Sequence, residues 1–253
     1  MTNKQVQAPF RADHVGSLLR PDSIKQARVD YQAGNITSKE LREIENKEIK
    51  RIVDKQAEVG MQSITDGEFR RSWWHLDFMW GLDGVEKAAT ETGLAFKGVE
   101  TRKETAKVTG KIDFSSHPFL DDFTYLNSIV PEGTVARQTI PSAVQFLYEI
   151  TKPHNIENTK KHYPNKEDLY DDIVHAYTKA FEAFYQAGCR NLQMDEVVWA
   201  VLCDQKYREN AKKNNIDLVA LMNEYVEINN RILANKPDDL IVTTHVCRGN
   251  YRS

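Results

Sequence analysis

Several features that would place a sequence quickly are scarce here. Three cysteines, Cys189, Cys203 and Cys247, occur in 253 residues. They are too few and too scattered for a disulfide framework, which fits a reducing compartment and a cytoplasmic protein. No run reaches the roughly 18 apolar residues that a membrane span needs, and the polar N-terminus has no secretory apolar stretch, so no membrane partner is expected. Charge of either sign is not concentrated: 34 Lys and Arg stand against 37 Asp and Glu, for a net −3. The basic and acidic residues are interspersed, and nucleic acid is excluded as an expected partner. A glycine-rich phosphate fingerprint is also missing, which argues against a nucleotide fold. With 40% hydrophobic residues, the chain can build one large α/β domain or two small ones.

What is present is a rhythm of strand and helix. Residues 10–17 read as a short strand running into a turn, and Pro21-Asp22-Ser23 offers a helix start. From Thr37, an amphipathic helix over 38–59 carries Leu41, Ile44, Ile49, Ile52 and Val53 on one face and is closed by Gly60. A strand follows over 61–65. Another spans 135–140, ended by Pro141-Ser142, and leads to a loop through Pro153 and Pro164. A helix opening at 165–168 carries Leu169, Ile173, Tyr177, Phe181 and Phe184 and stops at Gly188, before a strand over 191–196. A helix over 216–233 and a strand from Leu240 complete the series. The segment 72–84, rich in aromatics (Trp73, Trp74, Phe78, Trp80) and including Met79, reads as a lid or pocket wall, or as ordinary core. Residues 85–134 hold no clear helix, and the alternation over 106–112 predicts hairpin-like extended structure.

This alternation predicts a parallel sheet with helices outside, and chemistry-bearing residues at successive strand ends favour a (β/α)8 TIM barrel over an open sheet. About six of the eight units are counted. The expectation is therefore one truncated barrel domain over 1–253 with an extended insertion at about 85–134. Its sheet would be open and crescent-like, with the 240–244 strand at an edge and self-association through open edges as the consequence.

Four strand ends carry the chemistry. His245 and Cys247, at i and i+2, point to the same side of a strand, and imidazole with thiolate suits Zn²⁺ best among common metals. A buried cysteine beside a backbone-bonded histidine is the alternative. Glu68, beside Gly67 after the 61–65 strand, can accept an ammonium group or form a solvated pair with Arg70 or Arg71. In 191–196, alternation places Gln193 and Asp195 on one side and Met194 and Glu196 on the other, so one acid faces a pocket. Gly16 permits close backbone approach, and the neighbouring N–H groups with the Ser17 hydroxyl can hold a carboxylate, or form a plain turn.

Together, His14-Val15-Gly16-Ser17, Asp66-Gly67-Glu68, Gln193-Met194-Asp195-Glu196 and Thr243-Thr244-His245-Val246-Cys247 resemble the C-terminal catalytic barrel of cobalamin-independent methionine synthases, nearest to short single-barrel bacterial relatives. The resemblance implies a zinc-dependent methyl transfer from a methyltetrahydrofolate to homocysteine. It makes His245 and Cys247 zinc ligands, gives Glu68 and Asp195 the homocysteine amine, and sets Val15, Gly16 and Ser17 around its carboxylate. The family's remaining zinc ligands, a glutamate and a second cysteine, and its histidine proton donor follow the His-x-Cys pair. They are expected beyond Ser253, so the catalytic acid is unassigned and zinc binding by this chain is expected to be weak. Neither Cys189 nor Cys203 stands in. Gln145, Phe146 and Val201 lie where the larger enzymes set a tryptophan and a glutamate against the pterin, which leaves the methyl donor open. Two rivals stand beside this reading. One is an alkyltransferase for another small thiol such as coenzyme M, against which Glu68 and Asp195 argue. The other is an inactive fragment, which the missing ligands favour.

Overall fold

Thr37 opens the first long helix by closing a capping box. In the computed structural model, which describes residues 10, 13–91, 95–96, 99–100 and 102–247, its hydroxyl accepts from the Glu40 N–H at 3.2 Å and the Glu40 carboxylate takes the Thr37 N–H at 2.7 Å. The chain runs through α1 (Asp22–Gln32), α2 (Ser38–Glu58), the two-residue β1 (Ser63–Ile64) and a single turn, α3 (Leu76–Met79). An antiparallel excursion follows: β2 (Asp83–Ala89), β3 (Ala95–Phe96), β4 (Val99–Glu100) and β5 (Glu104–Asp113), with β2 paired to β5 and β3 to β4. Then come α4 (Pro118–Ile129), β6 (Val135–Pro141), α5 (Ala143–Ile150), α6 (Ile156–His162) and α7 (Lys166–Gln186). The series ends with β7 (Asn191–Glu196), α8 (Val198–Cys203), α9 (Gln205–Lys213), α10 (Leu218–Leu233) and β8 (Ile241–Val246). Among the described residues no helix is long and apolar enough to cross a membrane.

The main sheet has four parallel strands in the order β1-β6-β7-β8. It is open, with β8 at one edge, as expected; the count of about six units is met by four hydrogen-bonded parallel strands among the described residues. The strand expected over 10–17 is not one. Residues 11 and 12 lie outside the described residues, and 13–18 are irregular. Side chains from β6 and β7, from Thr65 just past β1 and from α2 hold that segment in place of a ladder. The 61–65 strand is reduced to Ser63 and Ile64, which pair with Val135 and Ala136.

Alternation divides the sheet into two unlike faces. Outward, Ala136, Ile140, Leu192 and Met194 are buried in the core, with α4 against β6 and α5 against β7. Each such side chain, fully buried, contributes roughly 1.5–3 kcal/mol if it is as large as Leu or Ile. Inward, the register sets Arg137 beside Asn191, Thr139 beside Gln193, and Asp195 beside His245. That face is largely polar, with Val135, Pro141 and Ile241 sharing its parity.

The insertion departs from its expected bounds. Extended structure occupies β2 to β5, but 118–129 is a helix: Pro118 sits at its first turn, the His117 ring accepts from the Phe119 N–H, and Phe119, Phe123 and Leu126 face the core. The loop expected through Pro153 and Pro164 contains α5 and α6, capped in α5 by the Ser142 hydroxyl, which accepts from the Gln145 N–H at 2.9 Å. The aromatic segment 72–84 divides its work. Phe78 and Met79 are core residues, while Trp73 and Trp80 dock the hairpin through Trp73 Nε1–H to Glu104 (2.6 Å) and Trp80 Nε1–H to the Thr105 carbonyl (3.0 Å). These contacts make the segment a hairpin anchor rather than a lid.

Candidate active site at the strand ends

Glu68 is placed by backbone strain that arginines hold in check. Its φ of 57° is left-handed, unusual for a non-glycine residue, and costs about 1–2 kcal/mol. Asp66 Oδ1 accepts its N–H at 2.8 Å, and Arg20 Nη2 donates to its carbonyl at 3.1 Å. Arg28 donates to the Phe69 and Arg71 carbonyls, fixing the rest of the loop. The carboxylate thus lies on the inner face, 3% exposed as a residue, where Oε1 accepts from Thr139 Oγ1 (2.8 Å) and Arg71 Nη1 (3.2 Å). The partner is Arg71, as one reading of the sequence had it, but the pair is buried rather than solvated. Arg70 turns away, to Asn46 and Asp122.

Asp195 sits across from it on β7. Burial, and then the Glu68 charge, push its carboxyl up to about 7, against a hydrogen bond from Gln193 Nε2 to Oδ1 at 2.7 Å. Two carboxyls on a shared low-dielectric face cannot both ionise easily without a cation between them. Strand parity assigned the acids as expected: Glu196 faces the other way, accepting from Asn229 Nδ2 of α10 at 3.3 Å.

Gly16 packs against Thr139 and Glu68. It has φ 127°, and a Cβ there would lie 2.7 Å from Thr139 Cγ2 and 3.8 Å from Glu68 Oε1, so the close approach requires glycine. The Gly16 carbonyl accepts from Thr65 Oγ1 at 2.7 Å and the Val15 carbonyl from Gln193 Nε2 at 2.6 Å. His14 Nδ1 takes the Gly16 N–H at 3.1 Å while Nε2 meets Gln56 Oε1 at 2.7 Å. An imidazole that accepts at one nitrogen and donates at the other is neutral, and burial lowers its pKa accordingly. The Val15 and Ser17 N–H groups make no hydrogen bond to protein among the described residues, and both residues are exposed.

His245 joins the same face beside Asp195, and Cys247 continues the ladder through its N–H to the Glu196 carbonyl at 2.7 Å. Burial, then the Arg137 charge, lower the His245 pKa, favouring the neutral form that can ligate a metal. The donors suit zinc in kind. In number they fall short, since no group of three or more His, Cys, Asp or Glu among the described residues could hold a metal ion. Cys189 lies before β7, buried, its thiol pushed up to about 12 chiefly by burial, and Cys203 is exposed at the end of α8. Neither approaches the site.

Arg137 and Thr139 also belong to this site, and the sequence alone does not single them out. Arg137 and Thr139 share strand parity within 135–140, and a charged residue in the middle of a buried strand was the available signal. Asn191 Oδ1, Arg137 Nε and Thr243 Oγ1 are buried on this face without a hydrogen-bond partner, which leaves polar capacity for a ligand.

Comparison with known proteins places this geometry. The chain is 46% identical over 252 residues to an uncharacterized protein, YxjH, of Bacillus subtilis, covering all of this chain and 65% of the relative. It is 42% identical to the crystal structure of a putative vitamin-B12 independent methionine synthase from Listeria monocytogenes, with a TM-score of 0.77, covering 98% of this chain and 68% of that one. A methionine synthase of Saccharolobus solfataricus is 25% identical over 190 residues, 72% of this chain and 51% of the relative. The chain thus spans about 65% of the length of its YxjH relative. The family described as cobalamin-independent synthase, catalytic domain, matches over residues 10–253, and the chain belongs to that family.

Proposed function

We propose that these residues bind an amino-acid thiol, homocysteine, as methyl acceptor in a transfer from a methyltetrahydrofolate. The observation that carries this reading is the convergence of Glu68 and Asp195 on one buried face beside Gly16 and His245. Both hydrogen bonds of Glu68 fall on Oε1 and that of Asp195 on Oδ1, so each acid keeps an oxygen for an incoming ammonium group. The ammonium supplies the cation that lets Asp195 ionise next to Glu68, and the two charge-assisted bonds fix the amine end. The Val15 and Ser17 N–H groups and the Ser17 hydroxyl then meet the carboxylate, which directs the thiol along β7 and β8 toward His245 and Cys247.

His245 and Cys247 would supply two donors to a zinc ion, the others coming from outside the described residues; zinc, when bound, holds a thiol as thiolate near neutral pH. A thiol without an amine, such as coenzyme M, would bring no cation to Asp195 and would leave the second oxygen of Glu68, whose first is held by Arg71 and Thr139, unused. Family membership supports the methyl donor and the zinc in this reading, and the geometry of the site supports the amine and carboxylate contacts.

Calorimetry on the full-length protein tests the reading with homocysteine and 4-mercaptobutyrate, which lacks only the amine. Loss of the charge-assisted bonds should weaken the second ligand roughly ten- to hundredfold. Equal affinities would remove the amino-acid pocket.

A further inference from the structure

Arg137 is the charged residue of the inner face that the binding of an amino-acid thiol leaves without a task. It stands in the middle of β6, 3% exposed. Nη1 lies 2.7 Å from both Asp13 carboxylate oxygens, and Nη2 donates to the His14 carbonyl. Nε is buried and unpartnered. Both contacts fall on the two residues immediately before the exposed Val15 and Ser17 donors.

That segment has no strand ladder to set its position. Its other anchors are Gln193 on the Val15 carbonyl, Thr65 on the Gly16 carbonyl, the Leu18 N–H on the Gly67 carbonyl at 3.0 Å, and Gln56 on His14. All four are neutral hydrogen bonds. Arg137 adds the charged one, from a rigid strand, through a planar fork that reaches two successive residues at once.

We propose that Arg137 is a positioning residue for substrate carboxylate. Acting through Asp13 and His14, it holds the Val15 and Ser17 donors over the strand ends and so gives the site its preference for thiols that carry a carboxylate. This rests on the reading of the site as one for an amino-acid thiol. The residue makes no hydrogen bond to the amine pair or to His245, though its charge reaches Asp195 and His245, so the comparison is made between two ligands that share the amine and the sulfur and differ in the carboxylate alone.

The test compares homocysteine with its decarboxylated analogue, 3-aminopropanethiol, by calorimetry on the full-length wild type, Arg137→Gln, Arg137→Lys and Asp13→Asn. The wild type is expected to prefer homocysteine roughly ten- to hundredfold. Arg137→Gln is expected to erase most of that preference by weakening homocysteine alone. Arg137→Lys should restore part, since an ammonium reaches one acceptor of the two, and Asp13→Asn should lose an intermediate share. Hydrogen exchange without ligand is expected to speed up at 13–18 in Arg137→Gln. A folded Arg137→Gln that keeps the wild-type preference, or that loses both ligands equally, overturns the proposal. Should Arg137→Gln fail to fold, Asp13→Asn carries the same comparison from a half-exposed partner, and an unchanged preference there overturns it too. A wild type that binds neither ligand sinks the amino-thiol reading and the carboxylate preference with it, whereas faster exchange at 13–18 would still establish Arg137 as the anchor of the segment.

Discussion

A carboxylate that folds more comfortably with its proton on is an unusual thing to bury, and Asp195 is one. Its folded pKa, about 7, lies above the ordinary 3.8. The folded chain therefore binds this proton more tightly than the unfolded chain. The stability it contributes is fully present below about 3.8 and is lost as pH rises through about 7. Asp195→Asn removes that loss. We expect urea unfolding to find the variant more stable by on the order of 2–4 kcal/mol above pH 7, with the gain vanishing toward pH 4. A variant no more stable than wild type at pH 8 would contradict the burial argument. The same variant should lose preference for homocysteine over 4-mercaptobutyrate, separating stability from binding in one residue. Gly16→Ala acts oppositely. With φ at 127° and a Cβ 2.7 Å from Thr139 Cγ2, it should lower stability by roughly 1–3 kcal/mol and weaken homocysteine, as thermal melts and calorimetry would record.

At the scale of elements, two histidines tie the start of α4 and the turn of α3 to acidity. His117 accepts the Phe119 N–H at Nδ1 and donates from Nε2 to the Phe78 carbonyl at 2.9 Å, an arrangement open only to neutral imidazole. Burial lowers both His117 and His75 to about 4. The unfolded chain takes these protons first, so the stability is intact above 6.5 and is lost between 6.5 and about 4. The loss is roughly 3 kcal/mol for each residue. Asp195 works against this trend over part of the same range. Urea midpoints should therefore be followed in an Asp195→Asn background, where His117→Asn, which keeps a capping side chain, is expected to flatten the acid limb. An unaltered limb would mean that His117 protonates without cost.

The elements also show what a sequence can disclose. α2, α7 and α10 were legible because an apolar stripe and flanking breakers agree over four or more turns, β6 and β8 because β-branched runs lead to Pro141 and Gly249, and β7 because an alternating run follows Gly188. α5 was not, since seven of its eight residues are buried and no periodicity survives. α4 was hidden by an apolar stretch opening at Pro118, and 13–18 by bonds that its own sequence does not contain. In the site, Glu68, Asp195 and His245 could be read from strand ends and parity. Arg137 could not be assigned, because its partner Asp13 lies 124 positions away.

For the whole molecule, the open edge at β8 has a measurable outcome. Thr244 and Val246 are exposed there, and β8 pairs with β7 alone among the described residues. An unpaired parallel edge is a template for another chain. Sedimentation velocity on this 253-residue chain is expected to show association that grows with concentration and that Val246→Lys suppresses. A monomer at all concentrations would show the edge protected.

The polar inner face bears on how the molecule comes together. A surface of Arg137, Thr139, Asn191, Gln193, Asp195 and His245 gives water little reason to leave it. Collapse must be driven from the opposite side, where Ile140, Leu192 and Met194 meet the helices. The pocket is then what remains after the outer layer has assembled, and its lining is free to drift. A library randomised at Thr139, Gln193 and Thr243 should yield many folded members with altered ligands, while one randomised at Ile140, Leu192 and Met194 should yield few folded members of any kind.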